Sequence, residues 1–159
     1  MSSLVSDRSQ KNETQNKLIE ILTSTVRDLL LKRIPVAYID PQFQSLVFKP
    51  LLIQPLMDLD VVNLSDAQLQ RLELCLRLGK PADIYLIDEP SAYLNEEEIS
   101  VAAKVIKNFI LYAKKTAFVV ETDPDMGFEI NDKVILFSGK PASDIIATKS
   151  LFYGIGTDR

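Results

Sequence analysis

The stretch Ile84-Tyr85-Leu86-Ile87-Asp88-Glu89-Pro90-Ser91-Ala92-Tyr93-Leu94 decides how this chain reads. Its first four residues are apolar, branched or aromatic, and a run this short predicts a buried strand rather than a helix. The run ends on two carboxylates. In α/β proteins ligands gather at the C-terminal ends of strands, so Asp88 and Glu89 stand where chemistry is expected. A buried strand closed by an acidic turn, with no chemistry, fits the same residues about equally well.

Working downstream, Asn95 and Glu98 have the spacing of a capping box, and Glu96, Glu97 and Glu98 suit the positive end of a helix dipole. Ile99, Ala102, Ala103, Ile106, Phe109, Ile110 and Ala113 then form one apolar stripe, and Lys114 and Lys115 close the helix. Thr116–Val120 reads as a second buried strand. Strand, helix and strand make a βαβ unit, whose default is a parallel pair. Val134–Phe137 predicts a third strand, Gly139-Lys140-Pro141 a turn, and Asp144–Thr148 an edge strand.

Upstream, Ser65 and Gln68 form another capping box before a helix carrying Leu69, Leu72, Leu76 and Leu78, with Gly79-Lys80-Pro81 as its stop. Pro35, Pro41, Pro50 and Pro55 cut the preceding segment into pieces, with a short helix around Phe43, Leu46, Val47 and Phe48. Apolar residues from Leu18 to Leu30 predict a helix running from Leu18 to about Arg33. Met1–Asn16 is polar and reads as a disordered tail.

Composition narrows the classes. The 159 residues are 47% hydrophobic and 25% charged, the balance of a soluble globular domain. No run approaches the roughly 20 apolar residues of a membrane span. The polar start predicts no secretory signal and a cytoplasmic chain. The net charge of −4 gives no support to a broad nucleic-acid footprint. There is no histidine and one cysteine, Cys75. That excludes His-dependent triads, His-ligated zinc, an internal disulfide and an iron–sulfur cluster held by this chain alone. Cys75, on an apolar helix, reads as a small buried hydrophobe. Tyr85 and Tyr93 read as packing residues. Lys104, Lys107, Lys114 and Lys115 read as a solvated face, with RNA contact the lesser option.

An apolar strand ending in Asp-Glu is a Walker B pattern. In nucleotidases the Asp holds Mg²⁺ and the Glu orients the attacking water. The neighbours sharpen this. Leu64-Ser65-Asp66-Ala67-Gln68-Leu69-Gln70-Arg71 lies upstream, Ser91-Ala92-Tyr93-Leu94-Asn95 follows, and Phe118-Val119-Val120-Glu121-Thr122-Asp123 comes one helix later. In this order they resemble the signature motif, D-loop and switch region of an ATP-binding-cassette ATPase. Leu78-Gly79-Lys80-Pro81-Ala82-Asp83 running into the Walker B strand is similar to the ribosome-recycling E subfamily, also called RNase L inhibitors. So are Ala113 to Glu121, Pro41-Gln42-Phe43 and Lys49-Pro50-Leu51. The resemblance runs from about Thr25 to Leu151 and falls on the later part of the family's second nucleotide-binding domain.

The resemblance implies a partial ABC-type P-loop NTPase domain of the α/β class. A helical signature subdomain, 17–80, precedes a parallel βαβ core carrying Walker B, 81–151, with tails at 1–16 and 152–159. It also implies ATP and Mg²⁺ as cofactors, and ribosomal subunits, initiation factors or a full-length family member as partners. Glu89 takes the catalytic position, Asp88 the metal position, and Ser65 and Gln68 the signature contact to nucleotide.

The departures point the other way. The sequence contains no G-x-x-x-x-G-K-[ST], whose backbone N–H groups, lysine and hydroxyl cradle phosphates. Asp66 and Ala67 stand where the signature has two glycines, Thr122 replaces the switch histidine, and Asn95 replaces the D-loop aspartate. Gln42 imitates a glutamine-loop residue but reads as a helix N-terminal residue. The expectation is a truncated relative in which Asp88 and Glu89 are vestigial, no nucleotide binds tightly, and ATP is not hydrolysed independently. An incomplete sheet would also leave an apolar face and an edge uncovered. Two alternatives stay open: an ATPase component that completes its site with another chain, and a dominant-negative interaction module or non-functional fragment.

Overall fold

Prolines and polar caps set the first half of the chain. The computed structural model describes residues 23–130, 132–135, 137–140, 144–147 and 151–152. Helix α1, Val26–Arg33, starts on Thr25, whose hydroxyl accepts from Asp28 N–H at 3.2 Å. Thr25 also forms an antiparallel bridge with Asp60, so its backbone is extended. The expected helix from Leu18 to Arg33 is therefore not continuous: the extended Thr25 cap interrupts helical backbone. The tail at 1–16 and the apolar residues before Thr23 lie outside the described residues.

Pro35 opens α2, Pro35–Ile39, and Pro41 opens α3, Pro41–Phe43, where a fixed φ and a missing N–H do no harm. Asp40 caps α3 by accepting from Gln42 N–H at 2.9 Å, so Gln42 is the helix N-terminal residue expected. A π-helical turn, Gln44–Phe48, follows, then 3₁₀ turns at Gln54–Leu56 and Val61–Asn63. Helix α4, Asp66–Gly79, carries the expected capping box. Its buried residues are Leu72, Leu74, Cys75 and Leu78, whereas Leu69 is exposed. The helix stops where Lys80 turns extended, and its last residue, Gly79, packs closely: a Cβ there would lie 2.6 Å from Ile34 Cδ1.

Strand β1, Ile84–Asp88, and strand β2, Thr116–Val120, flank helix α5, Glu96–Ala113. The strands pair in parallel, Ile84 opposite Thr116 and Asp88 opposite Val120. This is the βαβ unit read from the sequence. Helix α5 is fixed at its start by Asn95 and Glu98, each side chain bonded to the other's backbone N–H. It stops where Lys114 turns left-handed at φ 53°. Helix α6, Pro124–Ile130, then packs against α5.

The two runs were expected to form buried strands in a sheet with one apolar face uncovered, and one face of the pair is buried while the other is open. Tyr85 and Ile87 point into the core, while Ile84, Leu86, Phe118 and Val120 face outward, Leu86 at 70% and Phe118 at 58% exposure. Among the described residues the parallel sheet has two strands. The expected third strand, Val134–Phe137, is instead divided. Strand β3, Lys133–Val134, pairs antiparallel with β6, Leu151–Phe152, and β4, Phe137–Lys140, pairs with β5, Asp144–Ala147. The local hairpin closes a short loop at little entropic cost, which favours it over a distant parallel partner. Gly139 and Lys140 thus belong to a strand rather than a turn, and Pro141 and Thr148 lie outside the described residues.

One hydrophobic core runs through the helical and strand-bearing halves. Its spine is a chain of edge-to-face rings. Tyr38 meets Phe48 at 5.9 Å, Phe48 meets Phe43 at 5.4 Å, Phe43 meets Phe109 at 5.6 Å and Phe109 meets Tyr85 at 5.9 Å. Edge-to-face geometry places the positive ring edge on the negative face of its neighbour.

Candidate functional site

The C-terminal ends of β1 and β2 bring together three of the segments singled out in the sequence. Asp88 ends β1, and the ladder continues one step beyond it, Glu89 N–H donating to the Val120 carbonyl at 2.9 Å. Glu89 is left-handed at φ 43°. The Asp88 and Glu89 side chains are exposed and have no hydrogen-bond or ion-pair partner among the described residues.

Helix α4 reaches this corner through Gln70, whose Nε2 donates to the Glu89 carbonyl at 3.0 Å. Ser65 and Gln68 sit at the start of that helix. Ser65 Oγ accepts from Gln68 N–H at 3.3 Å, and Gln68 Oε1 accepts from Ser65 N–H at 2.9 Å. Each therefore already spends a polar atom on its partner's backbone, as a helix cap does.

The switch segment is organised by Glu121. Its carboxylate accepts from Ser91 N–H at 2.7 Å and from the Ser91 hydroxyl at 2.9 Å. It also accepts from Thr122 and Asp123 N–H at 3.0 and 3.1 Å. Asp123 in turn caps α6 by accepting from Met126 N–H at 3.0 Å. Sequence reading missed the roles of Gln70 and Glu121. Both contacts join residues far apart in the chain, and no spacing rule connects Glu121 to Ser91.

The donor set does not fit a self-sufficient Mg²⁺–ATP site. Mg²⁺ is held by one or two carboxylates together with substrate phosphates. Asp88 supplies a carboxylate, but the sequence has no glycine-rich loop to hold the phosphates. Among the described residues no cluster of three or more His, Cys, Asp or Glu could hold a metal.

The other candidates resolve simply. Tyr85 packs in the core and its hydroxyl donates to the Lys80 carbonyl at 3.0 Å, while Tyr93 is exposed, contrary to a packing role. Cys75 is buried, and burial pushes its thiol pKa up, away from reactivity. The lysine strip is largely committed within the protein. Lys104 pairs with Glu129 at 3.5 Å, Lys107 donates to the Glu129 carbonyl at 3.0 Å, and Lys115 pairs with Asp83 at 2.7 Å.

A parallel βαβ unit with Asp-Glu at the strand end, met by a capped helix from a helical segment, is the arrangement of part of an ATP-binding-cassette domain. Known proteins agree. The chain is 53% identical over 135 residues to "Translation initiation factor RLI1" of Chaetomium thermophilum, covering 84% of this chain and 22% of that protein. It is 54% identical over 111 residues to "ABC transporter E family member 3" of Arabidopsis thaliana, covering 69% of this chain and 60% of that protein. Its fold matches an archaeal ribosome recycling factor, aABCE1, solved in complex with the ribosomal stalk protein aP1. The TM-score is 0.76 at 34% identity, covering 82% of this chain and 25% of that one. No protein-family model matches the chain. The chain belongs to the E family of ATP-binding-cassette proteins and spans about a fifth of the length of its translation-factor relatives.

Proposed function

We propose that this chain is an interaction segment of the ribosome-recycling type that does not hydrolyse ATP by itself. The observation that carries this reading is the state of Asp88 and Glu89. They stand unpartnered at the strand end in a sequence without a phosphate loop, and Asp66 and Ala67 replace the signature glycines. A carboxylate at Asp66 opposes phosphate at a helix N-terminus that would otherwise attract it. In this reading Asp88 is an inherited Mg²⁺ position and Glu89 an inherited water-orienting position. Ser65 and Gln68 are inherited signature positions that now serve as a cap.

Translation is the context that the relatives support, with a cytoplasmic location. Partners are then ribosomal subunits, initiation factors or a full-length family member. No helix among the described residues is long and apolar enough to cross a membrane. A second reading, a site completed by a phosphate loop from another chain, is favoured by one observation. The sheet face carrying Leu86 and Phe118 is bare, so a further layer has room to dock beside the acidic pair.

Thermal melts with and without 1 mM MgATP test the first reading. A ligand held with a Kd of about 10 µM would add about 2.7 kcal/mol, a rise of about 5–11 °C for a domain of this size. We expect no rise for the chain alone. A rise that Asp88→Ala abolishes would overturn the proposal. A rise only after adding a full-length family member would support the composite site.

A further inference from the structure

The loops leaving the C-terminal ends of β1 and β2 are joined by one side chain. Glu121 Oε1 accepts from Ser91 N–H at 2.7 Å. Oε2 accepts from the Ser91 hydroxyl at 2.9 Å, from Thr122 N–H at 3.0 Å and from Asp123 N–H at 3.1 Å. Hydrogen bonds to an ionised carboxylate are roughly twice as strong as neutral ones. Here one loop supplies two donors and the other loop supplies two.

The turn held this way is strained. Glu89 and Tyr93 both have left-handed backbone, at φ 43° and 62°, and neither is glycine. Ser91 lies midway between them. Strained backbone of this kind persists only where the surroundings over-determine it. The Ala92 N–H to Glu89 carbonyl bond, 3.1 Å, closes the turn from within, and Gln70 holds the Glu89 carbonyl from outside. The Leu94 N–H to Ser91 carbonyl bond, 3.1 Å, closes its second half, and the Glu121 carboxylate anchors its centre from the other loop.

We propose that Glu121 is a positioning residue that holds the Glu89–Tyr93 turn in its strained form and ties it to the Thr122–Asp123 loop, so that the two loops move as one body. Oε2 is the joint, because it takes the Ser91 hydroxyl from one loop and two amides from the other. Loosening either side loosens the opposite loop. The latch consists of this chain's own atoms, so it stands whether or not nucleotide binds.

Amide hydrogen exchange on the full chain tests the latch. Ser91→Ala removes one donor and leaves every atom of the other loop in place. It should speed exchange at Thr122 and Asp123 by about three- to tenfold, the effect of one hydrogen bond, while Ile106 and Phe109 in α5 keep their rates. Glu121→Ala should speed Ser91, Thr122 and Asp123 together by at least about tenfold. Glu121→Gln should fall between wild type and alanine, because one oxygen remains but the new NH₂ opposes an N–H. The proposal is overturned if Ser91→Ala leaves Thr122 and Asp123 unchanged. It is equally overturned if Glu121→Ala accelerates α5 as much as the loops. Ser91→Ala alone decides the matter should the Glu121 variants not fold.

Discussion

Phe109→Leu is the substitution that most directly probes how the two halves of the chain hold together. Phe109 is buried and contacts Phe43 and Tyr85 edge to face, at 5.6 and 5.9 Å. Each such pair contributes about 0.5–1.5 kcal/mol beyond burial. Shrinking the ring to leucine adds roughly 1 kcal/mol for lost contacts and imperfect repacking. The sum is about 3 kcal/mol, below the usual total of about 5–15 kcal/mol, so the variant should still fold. With a urea slope of about 1.5 kcal/mol/M, the midpoint should fall by about 2 M. Far-UV circular dichroism follows the helices. The chain has no tryptophan and five tyrosines, so tyrosine fluorescence gives a second probe. Because Phe109 bridges the helical half and β1, both probes should shift together. A shift below about 0.3 M, or two separated transitions, would refute the idea that this ring chain unites the core.

Three further outcomes follow from the packing. Leu86→Lys with Phe118→Glu should change stability by less than about 1 kcal/mol, since both side chains already meet water and the new charges face each other across the strands as an opposite pair. A loss above about 2 kcal/mol by urea titration would mean that the face is covered. Cys75, buried and with its thiol pKa raised by desolvation, should resist a thiol reagent at pH 8 until the chain is unfolded in urea. Rapid labelling of the folded chain would contradict that burial. The Asp83 carboxyl lies below the ordinary carboxylate range through its hydrogen bond with Lys115 and then that residue's charge, and Lys115 is raised by the same bond. Asp83's contribution is therefore present above the ordinary carboxylate pKa and lost as pH falls through its lowered value. That of Lys115 is present below the ordinary ammonium pKa and lost as pH rises through its raised value. In Lys115→Met the Asp83 carboxyl should titrate higher than in the wild type, back in the ordinary carboxylate range, measured by carbon NMR, and an unchanged titration would show that the pair is not formed.

Local features were the legible ones. The Ser65–Gln68 and Asn95–Glu98 capping boxes are set by spacing within one turn, so they read directly from the sequence. The crossover from β1 to β2 was readable because α5 combines a long apolar stripe with charged ends. What escaped depends on distant partners. Nothing in Ile84–Asp88 says which of its two apolar faces will be covered, because that is decided by what else packs on the sheet. The run Val134–Phe137 looked like one strand because its composition is uniform, yet its two ends pair with different neighbours. At the site, the carboxylates at the strand end were plain, whereas the Gln70 and Glu121 contacts required the folded corner to exist.

The bare sheet face has a consequence for dosage. Ile84, Leu86, Phe118 and Val120 present a hydrocarbon surface on strands whose outer edges are unpaired among the described residues. Encounters between such faces grow with the square of abundance, while folding of each chain grows only in proportion to it. Any contact of one such face with another therefore weighs more as the chain becomes more abundant, and less where another surface covers the face.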